Sequence, residues 1–217
     1  MSEILTDDFV CEYKNVIDPF LCKEIIKLFE YDNNKQRGHV LGGVVPNVKN
    51  TIDLQIGHTN PLLESEWTKV KNLLIETLDK CVNKYYKSVN ADLFKDDYRD
   101  VIFFQYDGFL IQKYIKNEGL YTYHNDFHYQ AYRYRLLTFI FYLNTIDNGG
   151  ETEFKYGKYK IKPEAGKLVL FPASWTYPHC GKMPFSDNKY IITGWLYNTD
   201  NSYVIDQVNE LARKNIL

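Results

Sequence analysis

The chain has 217 residues, 45% apolar and 25% charged, which is ordinary globular usage. This composition excludes intrinsic disorder, because disordered chains lack the apolar residues that offset chain entropy. With 26 Lys+Arg and 28 Asp+Glu, the formal net charge is −2, which argues against a general nucleic-acid-binding protein. Aromatic residues make up 16% and methionines number only 2, so we expect a strand-rich fold with an aromatic core.

The cysteines and the chain start bear on the cellular compartment. Four cysteines lie far apart without a CxxC pair: Cys11, Cys22, Cys81 and Cys180. The acidic N-terminus lacks the basic and apolar regions of a secretory signal, and no apolar run reaches the ~18 residues of a membrane span. We therefore expect reduced thiols, no structural zinc, no membrane segment and a cytoplasmic protein.

Two helices are predicted in the first half of the chain. Residues 19–31 carry apolar side chains at helical spacing, with Asp18 as the N-cap. Residues 64–86 keep a three-and-four apolar spacing, which indicates one buried helix face. Residues 33–50 between them are polar and contain glycine, and are interpreted as a loop or weak strand region.

Short β-type runs follow residue 96. The predicted strands are residues 102–106, 109–114, 136–143, 158–162, 167–171 and 190–197. Asp107-Gly108 predicts a hairpin turn between the first two strands. Helices followed by many strands favour one domain with a barrel or sandwich and flanking helices, closed by a short helix near residues 205–217.

An H-x-D step is the first candidate for chemistry. His124 and Asp126 are two residues apart, so on a strand both side chains point to one side. His179 follows a later strand-like segment and could supply a third ligand from a neighbouring strand. Two imidazoles and one carboxylate on one face of an ion are typical of non-haem Fe(II) oxygenases. His128 could compete as a ligand but is interpreted as a wall residue, and Cys180 should point away from the site.

Lys189 is the second candidate, ten residues after His179. The next strand would return beside the metal there, and a fixed cation could pair with the distal carboxylate of an oxo acid that chelates the iron. The alternative is an ordinary surface lysine in a lysine-rich chain. Trp195 lies six residues further along, on the same face of that strand.

In this region the sequence resembles the prolyl 4-hydroxylase branch of the 2-oxoglutarate- and Fe(II)-dependent dioxygenases, from about residue 109 to residue 197. The matching residues are Gln112, Tyr114, Gly119, Tyr121, His124, Asp126, Arg135, Thr138, Tyr142, Gly149, Gly150, Glu151, Thr152, Phe154, Pro163, Gly166, Leu168, Phe171, Pro172, His179, Lys189 and Trp195. The resemblance implies a mainly β (α+β) fold with a double-stranded β-helix (jelly-roll) core. It divides residues 1–217, taken as one dioxygenase domain, into a helical N-terminal part (1–95), a jelly-roll core (96–200) and a C-terminal helix (201–217).

The resemblance also implies roles for individual residues. His124, Asp126 and His179 would hold Fe(II), and Lys189 would bind the C5 carboxylate of 2-oxoglutarate. Tyr114 and Thr138 would line the cosubstrate pocket. The positions that would hold the peptide substrate are Arg135 and Trp195.

The implied activity is hydroxylation of an unactivated C–H, with prolyl residues in peptides as the favoured substrate. It is coupled to decarboxylation of 2-oxoglutarate to succinate and CO₂, and it uses Fe(II), 2-oxoglutarate and O₂, with ascorbate as a candidate addition. The partner is thus a peptide or protein, with neither nucleic acid nor membrane expected. Three alternatives stay open: the same chemistry on a lysyl residue, free amino acid or small metabolite, a nucleic-acid demethylase, and a metal-free jelly-roll binding module.

Overall fold

The computed structural model describes residues 2–5, 9–90, 105–106, 108–130 and 133–197. These residues form two α-helices, α1 (Pro19–Tyr31) and α2 (Glu64–Asn90), and fifteen strands. The strands are β1 Ser2–Leu5, β2 Cys11–Lys14, β3 Gln36–Arg37, β4 Lys49–Asn50, β5 Ile52–Ile56, β6 Gln105–Tyr106, β7 Phe109–Tyr114, β8 Leu120–His124, β9 Tyr129–Gln130, β10 Arg133–Tyr142, β11 Thr152–Phe154, β12 Tyr159–Ile161, β13 Lys167–Pro172, β14 His179–Gly181 and β15 Lys189–Tyr197.

The strands form two antiparallel sheets. The larger sheet has the order β1-β2-β13-β10-β15-β7-β5-β3, with β9 beside β10 and β6 beside β15. The smaller sheet has the order β12-β11-β14-β8-β4. Both the predicted fold class and its jelly-roll core are confirmed.

Alternation along the central strands gives the larger sheet two apolar faces. On β10, Phe139 and Phe141 join the cluster that includes helix residues Phe29 and Trp67. Ile140 and Tyr142, on the opposite side of β10, join the cluster between the sheets. The helices therefore cover the outer face of the larger sheet, and the inner face remains for the smaller sheet and a cavity.

Helix α1 has the predicted bounds, and its cap is the predicted one. The Asp18 carboxylate accepts a hydrogen bond from the Phe20 backbone N–H at 2.7 Å. Helix α2 runs to Asn90, four residues beyond the predicted end, with Trp67, Leu74 and Leu78 buried against the sheet.

The predicted strands are confirmed where the chain is described, with ends shifted by one to three residues on β10, β12, β13 and β15. The first predicted strand is described only at Gln105–Tyr106, and Asp107 and the predicted helix at residues 201–217 lie outside the described residues.

Residues 1–95 are not a helical part alone, contrary to the sequence-based division. Five strands lie in this part, and β2 and β5 pair with core strands of the larger sheet. Residues 33–50 contain β3 and β4, which are only two residues long each.

Two further expectations concern cysteines and membranes. Every cysteine is a free, buried thiol. None of the helices within the described ranges combines the length and apolarity of a membrane span. The cytoplasmic location stays a prediction.

Candidate active site

Two neighbouring strands of the smaller sheet bring the predicted ligands together. His124 is the last residue of β8 and His179 the first of β14, and the two residues are directly paired across the sheet. Asp126 follows two residues after β8 and lies 3.5 Å from His179 Nε2 through Oδ2. One potential ligand atom from each of the three side chains lies within 4.8 Å of the others.

Backbone carbonyls orient both imidazole rings. His124 Nδ1 lies 2.8 Å from the Thr122 carbonyl oxygen, and His179 Nδ1 lies 3.0 Å from the Tyr177 carbonyl oxygen. Because a carbonyl only accepts, each Nδ1 carries the proton and each Nε2 keeps a free lone pair. Hydrogen bonds of this kind fix the tautomer of metal-binding histidines.

The surroundings favour a neutral imidazole and an ionised carboxylate. Burial and the nearby His179 together lower the pKa of His124 to about 4, although Asp126 opposes the shift. Burial by itself raises the pKa of Asp126, but His179, His124 and a hydrogen bond from Thr138 outweigh it, and the pKa lies below its usual value. Thr138 Oγ1 donates that bond to Oδ2 at 2.8 Å. Sequence reasoning placed Thr138 in the cosubstrate pocket and missed this contact.

Lys189 is the first residue of β15, opposite Tyr114 on β7, and is completely buried. Its Nζ lies 4.6 Å from the centre of the Tyr114 ring and 5.7 Å from that of Tyr142. Among the described residues, no carboxylate forms an ion pair with it. Burial lowers the pKa of the Lys189 ammonium to about 7, although Glu151 and Cys180 oppose the shift. The surface-lysine alternative is therefore wrong.

Arg135 on β10 and Trp195 on β15 are in side-chain contact. The Arg135 guanidinium lies 3.5 Å from the centre of a Trp195 ring, and its Nε donates to the Tyr197 hydroxyl at 3.1 Å. Arg135 thus lies over an aromatic ring, where a cation–π interaction stabilises it.

A single cavity of about 770 Å³ contains the whole set. It is lined by all eight residues that the sequence singled out for the site: Tyr114, His124, Asp126, Arg135, Thr138, His179, Lys189 and Trp195. His128 also lines it but stands outside the three-residue cluster of potential ligands, as predicted. The predicted alternation along β15 is confirmed, because Lys189 and Trp195 face the same cavity.

Sequence reasoning assigned no role at the site to Lys49 on β4, Asp53 on β5 or Tyr121 on β8, all of which line this cavity. Lys49 and Asp53 line it as a buried ion pair, and the Tyr121 ring stacks on His124 with centroids 3.6 Å apart. A signal existed in residues 52–56, where apolar and polar side chains alternate as in a strand. The polar side of such a strand is ordinarily assigned to solvent, whereas Asp53 faces the cavity.

Residues 109–197 match the family described as the 2OG-Fe(II) oxygenase superfamily. The resemblance to the 2-oxoglutarate- and Fe(II)-dependent dioxygenases is confirmed. This superfamily implies Fe(II), 2-oxoglutarate and O₂ as cofactors, and the chain has the His-Asp-His cluster that such an oxygenase needs. No curated protein sequence matches the chain.

Solved structures of prolyl hydroxylases are similar to the chain over most of its length. A viral collagen prolyl hydroxylase from Paramecium Bursaria Chlorella virus-1, solved with 2OG, is 19% identical with a TM-score of 0.60, covering 89% of this chain and 98% of that one. A Trichoplax adhaerens prolyl hydroxylase, solved with a hypoxia inducible factor peptide fragment, is 20% identical with a TM-score of 0.65, covering 88% and 84%. A Pseudomonas putida prolyl-4-hydroxylase is 17% identical with a TM-score of 0.55, covering 87% and 92%. At these identities the likeness establishes the fold.

Proposed function

We propose that the protein is a dioxygenase that hydroxylates a prolyl residue in a peptide, with Fe(II) and 2-oxoglutarate as cofactors. The observation that carries the proposal is one cavity holding both a His-Asp-His cluster and Lys189, a buried lysine that forms no ion pair with a carboxylate among the described residues. The first would hold the metal, and the second would hold the cosubstrate. A binding module would need neither feature.

The donor set fits Fe(II). His124 and His179 would each offer Nε2, and Asp126 would offer one carboxylate oxygen, which together form a facial triad with open positions. Thr138 donates a hydrogen bond to Oδ2 of the carboxylate, so it would fix the orientation of Asp126 at the metal site. Fe(II) bound there would supply the activation of O₂ and 2-oxoglutarate that leads to C–H hydroxylation and releases succinate and CO₂.

Lys189 and Tyr114 would bind the distal end of 2-oxoglutarate. The Lys189 ammonium would pair with the C5 carboxylate, a charge-assisted contact that is strong where water is excluded. The Tyr114 hydroxyl donates to Gln112 Oε1 at 3.2 Å. It would be free to turn to the same carboxylate when 2-oxoglutarate is present.

Arg135 and Trp195 would hold the substrate near the end of β15 that lies opposite to Lys189. The stacked guanidinium keeps its terminal N–H groups available for a peptide carbonyl, and the indole offers an apolar surface for a proline ring. The prolyl preference is supported by the relatives, of which one is described as a collagen prolyl hydroxylase and another was solved with a peptide fragment. The same site could act on another amino-acid side chain, which the test below distinguishes.

The test is succinate release from 2-oxoglutarate by the Fe(II)-loaded protein, with and without ascorbate. A panel should contain proline-rich peptides, lysine-containing peptides, free amino acids and a methylated oligonucleotide. The product should be a proline-containing peptide that has gained one oxygen atom, located by fragmentation mass spectrometry. Oxygen gain on another compound only would replace the prolyl assignment, and absence of both succinate and iron binding would refute the dioxygenase itself.

A further inference from the structure

The cavity wall contains a buried ion pair for which the proposed function has no role. Lys49 Nζ donates to Asp53 Oδ2 at 2.7 Å, and the two residues are 5% and 3% exposed. Both line the cavity that holds the His-Asp-His cluster. A buried pair of this kind is weak evidence of stability, because the desolvation of two charges can cost more than their attraction returns.

The Asp53 carboxylate is only half satisfied. Oδ2 accepts from Lys49, but Oδ1 is buried and has no hydrogen-bond partner among the described residues. An unsatisfied buried acceptor costs about 1–3 kcal/mol, and more when it is charged, so native proteins rarely retain one without use. A ligand that donates a hydrogen bond to Oδ1 would remove this penalty.

The pair lies close to the proposed metal site. Lys49 Nζ is 5.4 Å from the centre of the Tyr121 ring, which stacks on His124. Asp53 is paired with Gln112 on the neighbouring strand of the larger sheet. A substrate that presents a C–H to the metal would therefore reach this wall with an adjacent group.

The charge of the cavity favours a neutral donor over a cation. Three cationic side chains line it, Lys49, Arg135 and Lys189, against the two carboxylates of Asp53 and Asp126. Fe(II) and doubly charged 2-oxoglutarate would leave that balance unchanged. An ammonium beside Lys49 would add a second cation to one carboxylate, whereas a backbone amide N–H adds no charge.

The positions of the unsatisfied atoms also favour an extended ligand. Trp195 Nε1 is a second buried polar atom without a partner among the described residues, and Trp195 lines the same cavity. Asp53 pairs with Gln112, which pairs with Ile191, four residues before Trp195 on β15. At ~3.3 Å per residue and ~4.8 Å per strand, the two sites are ~16 Å apart. About five extended residues span that distance, and a single amino acid does not.

We propose that Asp53 is a substrate-binding residue whose Oδ1 accepts a hydrogen bond from a backbone N–H of an extended peptide. Lys49 is a positioning residue that holds the other oxygen. The proposal rests on the proposed function, because it concerns the substrate of that site. The shared chemistry is an N–H donor, which a peptide amide or the ammonium of a free amino acid could supply, and the amide is the one inferred here.

The test removes the contact from each side in turn and measures binding without turnover. The protein side is the double variant Lys49→Met with Asp53→Leu, which replaces the whole pair and leaves no buried unpaired charge. The single variant Lys49→Met tests the positioning role. The matched control is Thr51→Val, which deletes a buried, unsatisfied hydroxyl between the two residues without altering the cavity lining.

The ligand side is the probe peptide acetyl-Gly-Pro-Gly-Pro-Gly-amide and its analogue with sarcosine in place of every glycine, which removes those backbone N–H groups. Each is titrated by calorimetry into Fe(II)-loaded protein with 2-oxoglutarate and no oxygen. Sarcosine should weaken binding to the wild type and to Thr51→Val by about 10- to 100-fold, the value of a hydrogen bond to a charged group. The double variant should bind both peptides nearly equally, and Lys49→Met should fall between.

An equal sarcosine penalty in the wild type and the double variant would overturn the proposal, as would failure of the iron- and 2-oxoglutarate-loaded wild type to bind the probe peptide. Free L-proline forms the second arm. Tighter binding of L-proline than of the peptide, lost in the double variant, would overturn the amide and assign the contact to an ammonium. If the wild type does not bind Fe(II) or 2-oxoglutarate, the proposed dioxygenase function is refuted instead. Failure of the Asp53 proposal and failure of the proposed function are therefore distinguishable.

Discussion

Replacing Lys189 separates cosubstrate binding from metal binding. If its ammonium pairs with the C5 carboxylate, Lys189→Ala leaves that carboxylate buried without a partner, at a cost of roughly 3–5 kcal/mol. At ~1.4 kcal/mol per factor of ten, the dissociation constant of 2-oxoglutarate should rise by about two to three orders of magnitude. Fe(II) affinity should stay within about twofold, because Lys189 is outside the His-Asp-His cluster.

The same lysine gives 2-oxoglutarate binding a pH dependence. Because burial lowers the pKa of Lys189 to about 7, we expect a substantial share of neutral amine near pH 7 when 2-oxoglutarate is not bound. Only the charged form pairs with a carboxylate, so affinity should be constant below pH 7 and fall about tenfold per pH unit above it. Calorimetry in two buffers of different ionisation enthalpy should record proton uptake on binding above pH 7. Lys189→Arg keeps its charge at every pH, so its weaker binding should lose this slope.

As the pH rises, the stability of the protein without 2-oxoglutarate should increase, whereas its affinity for 2-oxoglutarate should fall. The folded-state pKa of Lys189 lies below its ordinary value of 10.5, so the unfolded chain holds the proton more tightly between pH 7 and 10.5. The free energy of unfolding should therefore rise with pH across that window, and the full penalty, at most about 5 kcal/mol, applies below pH 7. Lys189→Met should be more stable than the wild type at pH 6 in urea denaturation.

Lys167 offers the matched comparison. It is equally buried, but its Nζ pairs with Glu12 at 2.8 Å and with Glu164 at 2.9 Å. Lys167→Met leaves the Glu12 carboxylate without this partner and should destabilise the protein, whereas Lys189→Met should not. A Lys189→Met protein that loses stability at pH 6, or a Lys189→Ala protein with wild-type 2-oxoglutarate affinity, would refute the reasoning.

Seven other variants test the remaining assignments. His124→Ala, Asp126→Ala and His179→Ala should each abolish turnover and metal binding, whereas His128→Ala should keep both. Unchanged hydroxylation in one of the first three variants, or loss of iron binding in His128→Ala, would reverse these roles. Thr138→Val should weaken Fe(II) binding about 10- to 100-fold by freeing the Asp126 carboxylate, and unchanged metal affinity would contradict this. Arg135→Ala and Trp195→Ala should each weaken peptide binding by about 1–4 kcal/mol while 2-oxoglutarate turnover without peptide persists. Equal losses of both activities would move these residues to the cosubstrate end or the core. Succinate release and calorimetry measure each effect.

Local signals were sufficient for the elements that carry strong patterns. Asp18 and Pro19 define the start of α1, and alternation defines β7 as Phe109–Tyr114. The metal cluster was also predictable, because an H-x-D step and a later histidine have a recognised geometry. The smaller sheet brings the two histidines together although 55 residues separate them in sequence. Its strands β8 and β14 are adjacent, and His124 and His179 are paired across them.

The elements that sequence reasoning missed depend on pairing between distant segments. β5 is five residues long, and its place beside β7 is fixed by contacts between residues 52–56 and 109–113. No local propensity reports such pairing, since edge and central strands share the same residue preferences. The Lys49–Asp53 pair was invisible for the same reason, because an i,i+4 charge pair in a polar stretch predicts an exposed surface.

The placement of charge gives the cavity a binding order. Lys189 has no carboxylate partner among the described residues and Asp53 is only half satisfied, so each wall of the cavity has an unfavourable electrostatic contribution that one ligand would relieve. The 2-oxoglutarate dianion would supply the counter-charge that the buried Lys189 ammonium lacks and would offset two positive charges in the cavity. The peptide then meets a cavity in which the remaining unsatisfied atoms, Asp53 Oδ1 and Trp195 Nε1, match its own backbone groups. Cosubstrate before peptide is therefore the order that the electrostatics favour, and peptide affinity should be lower without 2-oxoglutarate than with it.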